Sequence, residues 1–457
     1  MRHQLLAIAF LTFAACPGDD DKGSTDTTIA DTAVADTAVA DTAVADTEAP
    51  PDAEDTASAD VALPNTCDTP EGSALAHAAV PDGFCAAVWA TGLSSPRGMI
   101  VAPSGEVLVV ERSGGQVTAL WDDDDDGVSG SGERALLAKA SGLNHGLALG
   151  GGYLYASSSS TVYRWAYTPG ARADLGAAEV VIKGIPTGGH STRTLVLDAA
   201  GALYVSVGSA GNVDSDSSRS RVRRFDLSTI PSGGIAFDTG AVQADGLRNE
   251  VGLAFDGQGR LWGVQNGVDQ LNRADLGGDI HEDNPAEILS RLDTAGAFHG
   301  YPWCWTEFLL PSDVGLGPGT MWAHPNTMDD GVHDDAWCRD TANVQPPALA
   351  MQAHSAPLGL VFYDGAAFPA EYAGDAFVPF HGSWNRDVPT GYKVVRVRFD
   401  GDTPVEATPF LEYDGAGDIG QQWPHRPVDA AVAPDGRLLV TSDASGVVLV
   451  VGHAGAQ

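Results

Sequence analysis

The amino-acid sequence predicts an all-β protein, a six-bladed β-propeller, on three observations. One phrase recurs six times past residue 85: an apolar strand, a Gly-containing turn, a second apolar strand ending in polar residues, another turn and a third strand. The first four copies start at Arg97, His145, Thr192 and Asn249, spacings of 48, 47 and 57 residues, which match the period of propeller blades. Glycine supplies 55 of 457 residues, about 12% against a usual ~7%, so tight turns abound. A solenoid fits less well, because alternating strands of this length with an extended loop system suit radial closure.

Taken in order, the copies read RGMIVAPSGEVLVVERSGGQVTALW from Arg97, HGLALGGGYLYASSSSTVYRWAY from His145 and TRTLVLDAAGALYVSVGSAGN from Thr192. They continue with NEVGLAFDGQGRLWGVQNG from Asn249, PLGLVFYDG from Pro357 with its partner DAFVPFHGSWNR, and RPVDAAVAPDGRLLVTSDASGVVLVV from Arg426. The wide gap between the fourth and fifth copies predicts an insertion around 268–350, which carries Cys304, Cys338, Tyr301, Trp303 and Trp305.

The segment ahead of the repeats has another character. Arg2 and His3 precede an apolar run over 5–15, too short to span a bilayer, and Ala14-Ala15-Cys16 has the form of a bacterial lipoprotein cleavage site. Residues 1–15 are therefore expected to be a signal peptide and Cys16 the lipidated residue; Phe13 departs from the usual small or polar residue, which leaves ordinary signal-peptide cleavage nearby as the alternative. Residues 16–64 hold 13 acidic groups and one Lys, mostly as DTAVA repeats whose small and charged side chains bury too little area to offset ordering entropy. They read as an acidic tether, leaving 65–457 as the folded domain. The expected product is exported and held by its N-terminal lipid on a membrane facing the periplasm or cell surface. Membrane contact is expected only through that lipid.

Charge excludes one class of partner. Acidic residues outnumber Lys plus Arg 61 to 25, net −36, so a nucleic-acid backbone is repelled over most of the surface. In an oxidising compartment the four remaining cysteines are expected to pair locally, Cys67–Cys85 and Cys304–Cys338, and the C-x-x-C spacings of a zinc site are absent.

Several loops carry candidate chemistry. Asp122, Asp124, Asp126, Gly127 and Glu133 fit a D-x-D-x-D-G-x5-E calcium loop set between strands, with a solvated acidic hairpin as the alternative. His190 lies just before the third copy's first strand, where a neutral imidazole is able to take a proton from a hydroxyl; alone, such a histidine is as readily structural. Arg248-Asn249 occupy the equivalent entrance one copy later, placing a cation beside that base. Asn266-Gly267 and the polar run through Asp269, Asp275 and Asp279 offer oxygen ligands, or an ordinary polar loop. His381, Trp384, Asn385 and Arg386 in the fifth copy, with Trp423 and Arg426 at the sixth, add cations and aromatic faces suited to an anionic planar cofactor and a sugar ring.

In combination these residues resemble the pyrroloquinoline-quinone (PQQ) dependent aldose and sorbosone dehydrogenases. LRNEVGLAF, NGVDQLNRADLGGDIHEDNPAEI, GYPWCWTE and FHGSWNRDVPTGYKVVRVRF look most like the pyranose dehydrogenase branch, over about residues 80–452. The resemblance implies a six-bladed propeller that oxidises a sugar or related aldehyde with PQQ and Ca2+. It implies His190 as general base, and Arg248 against both quinone and substrate with Asn249 beside it. His381, Asn385, Arg386 and Arg426 would sit around the cofactor, Trp384 and Trp423 around the substrate, and Asn266 and Gly267 on the calcium through their carbonyls. Asn385 stands where the soluble glucose dehydrogenases have Lys, and Val428 where they have a second Arg. With no C-x-x-C-H haem site in the chain, electrons are expected to pass to a separate acceptor. The competing readings are a calcium-dependent propeller lactonase and a non-catalytic binding propeller. The first needs several carboxylates on its metal, and the second leaves the arginine cluster without a task.

Overall fold

The computed structural model describes residues 65–70 and 73–455; the expected signal peptide, Cys16 and the tether lie outside them. Six antiparallel blades follow one another in chain order. The first comprises Pro96–Val101, Val107–Glu111, Gln116–Leu120 and Arg134–Lys139, and the second Leu143–Gly150, Tyr153–Ser158, Thr161–Ala166 and Glu179–Lys183. The third is Leu195–Leu197, Leu203–Val207, Arg221–Phe225 and Ala241–Asp245. The fourth is Glu250–Phe255, Leu261–Gln265, Glu287–Arg291 and Leu349–Met351; the fifth is Val361–Phe362, Ala376–Phe380, Lys393–Asp400 and Thr403–Tyr413. The sixth joins Pro427–Val432, Leu438–Ser442 and Val447–His453 to Phe84–Ala90 from the other end of the domain. That borrowed strand gives the sixth blade its fourth, outermost strand and closes the ring.

One expected boundary needs correction. The insertion is not continuous over 268–350, because Glu287–Arg291 and Leu349–Met351 are the third and fourth strands of the fourth blade. Two excursions, 268–286 and 292–348, replace it. The strand was hidden because EILSR is short and flanked by polar loops, whereas its pairing with Leu261–Gln265 is non-local. Both expected disulfides form: Cys67–Cys85 fastens the segment ahead of the closing strand, and Cys304–Cys338 clamps the second excursion.

Blade faces pack in pairs. Between the first two, Leu108, Val110, Leu143, Leu147, Leu154 and Trp165 form one apolar cluster, and comparable clusters lie between other neighbours. The closest approach is at the axis, among the innermost strands. A β-carbon on Gly98 would lie 2.0 Å from the His145 carbonyl oxygen, and one on Gly146 2.1 Å from that of Arg193. Gly252 abuts Gly359, and Gly359 abuts Asp429 in the same way. Where the third copy has Thr194, its hydroxyl donates to the Val251 carbonyl, and where the sixth has Asp429, its carboxylate accepts from the Met99 N–H at 2.9 Å. Six equivalent positions thus stitch each inner strand to the next around a channel of about 450 Å³.

This ring is testable by adding single methyl groups. Gly146→Ala should destabilise the domain by about 1–3 kcal/mol or more, since backbone rather than a flexible side chain must yield. Gly257→Ala, on an exposed turn with nothing within 4 Å, should change the urea midpoint little.

Candidate functional site

Each inner strand runs away from the channel end at which its antiparallel neighbour finishes. Residues that open the inner strands and residues that follow the second strands therefore meet at one mouth. This places Arg97, His190, Arg248, Asn249 and Arg426 with Ser209, Asn266, Gly267, His381 and Asp443 at the same end.

His190 is held by its backbone N–H to the Ser209 carbonyl at 3.0 Å, while Nδ1 lies 2.9 Å from Ser209 Oγ and 3.1 Å from the Ser209 carbonyl. Ser209 Oγ already donates to the Gly211 carbonyl at 2.6 Å, so the contact to the ring requires Nδ1–H as donor. Nε2 is left as an acceptor. Burial and the nearby positive charge of Arg248 push the imidazole pKa down to about 4, so it is neutral at neutral pH. The loop beneath is pinned by two buried arginines. Arg193 donates to the carbonyls of His190 at 2.8 Å and Pro186 at 2.6 Å, and Arg219 to those of Thr187 at 2.6 Å and Gly188 at 2.9 Å.

Arg248 is 5% exposed. Its guanidinium donates to Asn212 Oδ1 at 3.0 Å, to the Gly267 carbonyl and to Asp269 Oδ2 at 2.7 Å. Asn249 Nδ2 donates to Asn266 Oδ1 at 3.0 Å, and Asn266 Nδ2 to the Pro357 carbonyl at 2.7 Å. Below them Glu287 accepts the Gly267 N–H at 2.8 Å and the Ala356 N–H at 3.1 Å, with burial pushing its pKa up to about 7. Asn385 joins this side, donating to Asp269 Oδ1 at 2.9 Å. Arg248, Gly267 and Asn385 are thus linked through Arg248 and Asp269, the Asn249–Asn266 pair lies next to them, and His190 is alongside: Gly208 packs against both His190 Cβ and Asn249 Oδ1.

Across the mouth, Arg426 donates to the carbonyls of His381 at 3.0 Å and Gly382 at 2.7 Å and lies over the Tyr392 ring. Arg386 instead reaches the insertion, 3.3 Å from Asp283 and 3.4 Å from Glu282. Trp384 is 73% exposed and borders a cleft of about 460 Å³ with Gln270, Asn272, Asp279, His281 and Asn385. The expectation for Trp423 is corrected: it is 4% exposed and packed against Tyr413 and His425, offering no face to a substrate. Its position beside Arg426 in the sequence did not reveal that the preceding short helix, Ile419–Gln422, folds it inward. Val428 is fully buried with Val251 and Leu358, an apolar plug where an arginine would lose its water.

In the acidic hairpin, carboxylate oxygens of Asp122, Asp124 and Asp126 lie within 4.8 Å of one another. Glu133 does not close this set. Its carboxylate accepts the N–H groups of Asp123 at 2.6 Å and Gly130 at 2.7 Å, an arrangement that follows from a β-hairpin and not a helix after the loop.

Sequence reasoning missed Ser209, Asn212, Arg193, Arg219, Arg97 and Asp443, and it offered Asp269 as an oxygen ligand where the structure has it accept from Arg248 and Asn385. One signal was available: Arg97, His145 and Arg193 each precede the stitching position of their copies.

Fold and site together define a propeller protein whose channel mouth sets buried cations around a neutral imidazole. The chain belongs to the TrAA12-like family, whose model matches residues 78–454. It is 31% identical over 409 residues to a pyrroloquinoline quinone-dependent pyranose dehydrogenase of Coprinopsis cinerea, covering 81% of this chain and 54% of that protein, so it spans about half that relative's length. It is also 31% identical over 400 residues to a pyrroloquinoline quinone-dependent sugar dehydrogenase of Hypocrea jecorina, covering 81% of this chain and 88% of that one. Among solved structures, the holo form of the Coprinopsis cinerea pyranose dehydrogenase PQQ domain matches with TM-score 0.73 at 30% identity, over 84% of this chain and 98% of that one. A calcium structure of a Trichoderma reesei family AA12 enzyme matches with TM-score 0.73 at 30% identity, over 82% and 97%.

For the hairpin, calcium should raise the melting temperature of the parent, and Asp124→Asn with Asp126→Asn should reduce the increment without altering binding at the channel mouth. A double variant as calcium-responsive as the parent, by differential scanning fluorimetry, refutes a role for these carboxylates.

Proposed function

We propose that this chain is a PQQ- and calcium-dependent dehydrogenase that oxidises a sugar hydroxyl, exported and membrane-tethered, with a separate redox partner as electron acceptor. The observation that carries the reading is His190: a neutral imidazole with a defined free nitrogen, beside a buried arginine, at the mouth of a propeller whose relatives are named for this activity.

The residues present fit the cofactor. Arg426 spends its hydrogen bonds on carbonyls, so its charge is uncompensated by any carboxylate in hydrogen-bond contact among the described residues. Arg386 Nε makes no hydrogen bond there but lies 3.4 Å from the Glu282 carboxylate. Arg426 therefore suits an anionic ligand better than Arg386 does. The Asn266 carbonyl accepts no hydrogen bond among the described residues and is a free hard oxygen donor of the kind calcium prefers, while the Gly267 carbonyl already accepts from Arg248 and has only its second lone pair to offer. When bound, PQQ with its calcium supplies the electron-pair acceptor. The chain's own work is orientation and proton handling. His190 Nε2 takes the hydroxyl proton, Ser209 holds the ring in the required tautomer, and Arg193 and Arg219 keep the loop from moving. Arg248, itself fixed by Asn212 and Asp269, provides positive charge next to the forming alkoxide. Trp384 and the polar groups of its cleft offer the apolar face and hydrogen-bonding rim that suit a sugar ring. A lactonase would need several free carboxylates on its metal, whereas Asp269 is engaged by Arg248 and Asn385. The two disulfides support an oxidising compartment.

Purified apoprotein supplied with PQQ and calcium should reduce an artificial dye when given sugars; no PQQ uptake in fluorescence titration would defeat the reading. His190→Ala should keep PQQ uptake and lose turnover by about 10²-fold or more. Arg426→Ala should instead raise the PQQ concentration for half-maximal activity, more than Arg386→Ala does, because Arg386 already faces two carboxylates.

The pH dependence has a definite sign. The active base is the unprotonated ring, so kcat/KM should fall as pH drops through about 4 and show no histidine limb near 6.5. A limb near 6.5 that disappears in His190→Ala would contradict the burial argument.

A further inference from the structure

Opposite His190 around the ring, three side chains from three blades stand in a row. Arg97 opens the first blade's inner strand, Asp443 follows Leu438–Ser442 of the sixth blade, and His381 follows Ala376–Phe380 of the fifth. Arg97 Nη1 donates to Asp443 Oδ2 at 2.8 Å, and His381 Nε2 lies 2.9 Å from Asp443 Oδ1. Arg97 is 5% exposed, and both carboxylate oxygens are engaged. Burial opposes the charge on Asp443, but the contacts from His381 and Arg97 outweigh it and hold the carboxyl far below its ordinary range. A carboxylate only accepts, so the His381 contact requires Nε2–H as donor and leaves a lone pair on Nδ1.

The backbone under that ring is equally constrained. The His381 N–H donates to the Ala356 carbonyl at 3.0 Å, and Arg426 grips the carbonyls of His381 and Gly382. Nδ1 has no hydrogen-bond partner among the described residues and is not sealed from solvent. The charged and titratable groups facing this ring are Asp443 and Arg426 of the sixth blade and Arg97 of the first, with His145 and Arg112 behind Arg97. Burial and the two nearer arginines outweigh Asp443 and lower the imidazole's pKa, which keeps Nδ1 unprotonated at neutral pH.

We propose that Arg97 and Asp443 are positioning residues that lock His381 in the Nε2–H tautomer, so that Nδ1 stands as a second neutral acceptor at the channel mouth for an O–H or N–H donor of the bound ligand. The identity of that ligand rests on the function proposed above; the lock does not. A purely structural strap joining three blades would hold the same atoms together without depending on which ring nitrogen carries the proton.

Nitrogen-15 histidine NMR on the apoprotein separates the two. His381 resonances, assigned by their loss in His381→Gln, should show a single Nε2–H tautomer across about pH 6 to 8. Asp443→Leu combined with Arg97→Met removes both charges together, which spares the fold an unpaired buried ion. In that variant His381 should become a tautomer mixture, and PQQ, titrated by fluorescence, should bind about tenfold more weakly. A parent ring protonated at Nδ1, or a ring that stays purely Nε2–H in the double variant, overturns the proposal. If the parent takes up no PQQ, the proposed function fails while the tautomer result still decides the lock.

Discussion

The close approach of six inner strands around the axis is the constraint on which the rest depends. At one level of the channel each blade presents a residue small enough, or polar in the right way, to touch the next blade's backbone: Gly98, Gly146, Thr194, Gly252, Gly359 and Asp429. Packing at this distance fixes the radius of the ring, and the radius decides which loops can reach one another. His190 and Arg248 share a mouth because the third and fourth inner strands are stitched; His381 and Asp443 meet because the fifth and sixth are. The N-terminal strand Phe84–Ala90 completes the last blade and holds the circle shut.

Electrostatics at the mouth run against the chain as a whole. A protein of net charge −36 concentrates guanidinium groups where the loops converge. Several are bound by backbone carbonyls: Arg193 and Arg426 entirely so, and Arg219 chiefly so with Asp214 at 4.0 Å. Carbonyl dipoles hold a cation in place without cancelling it, so its field remains available to a ligand. The same field, with burial, keeps nearby histidines neutral. A neutral imidazole surrounded by fixed positive charge stays unprotonated at neutral pH, the state in which a general base works on a hydroxyl.

Val251, Leu358 and Val428, three apolar side chains at equivalent positions of the last three inner strands, form a buried cluster. The first three blades carry Arg97, His145 and Arg193 at the same level. One half of the axis is therefore polar and the other half apolar, and the polar half supplies both the Arg193 staple under His190 and the Arg97 anchor behind His381.

Much of this was legible in the sequence, and the division follows from distance along the chain. Recurrence of strand, glycine turn and strand determined the six blades, because the inner strands of every blade form a local hairpin, even where the fourth blade spreads its outer strands to Met351 and the sixth borrows Phe84–Ala90. The phrases around His190, Arg248, His381 and Arg426 marked loops that the fold then gathers at one channel mouth, and the local cysteine pairings followed from spacing. Only the tertiary structure decided which groups hold those residues. Asp443 lies 346 residues from Arg97 and 62 from His381, and Asn212 lies 36 from Arg248. No local pattern encodes such partners, since they become neighbours only when the ring closes. The fate of Trp423 and the splitting of the insertion belong to the same category: each depends on what the finished blade leaves room for, and that room is set by all six blades at once.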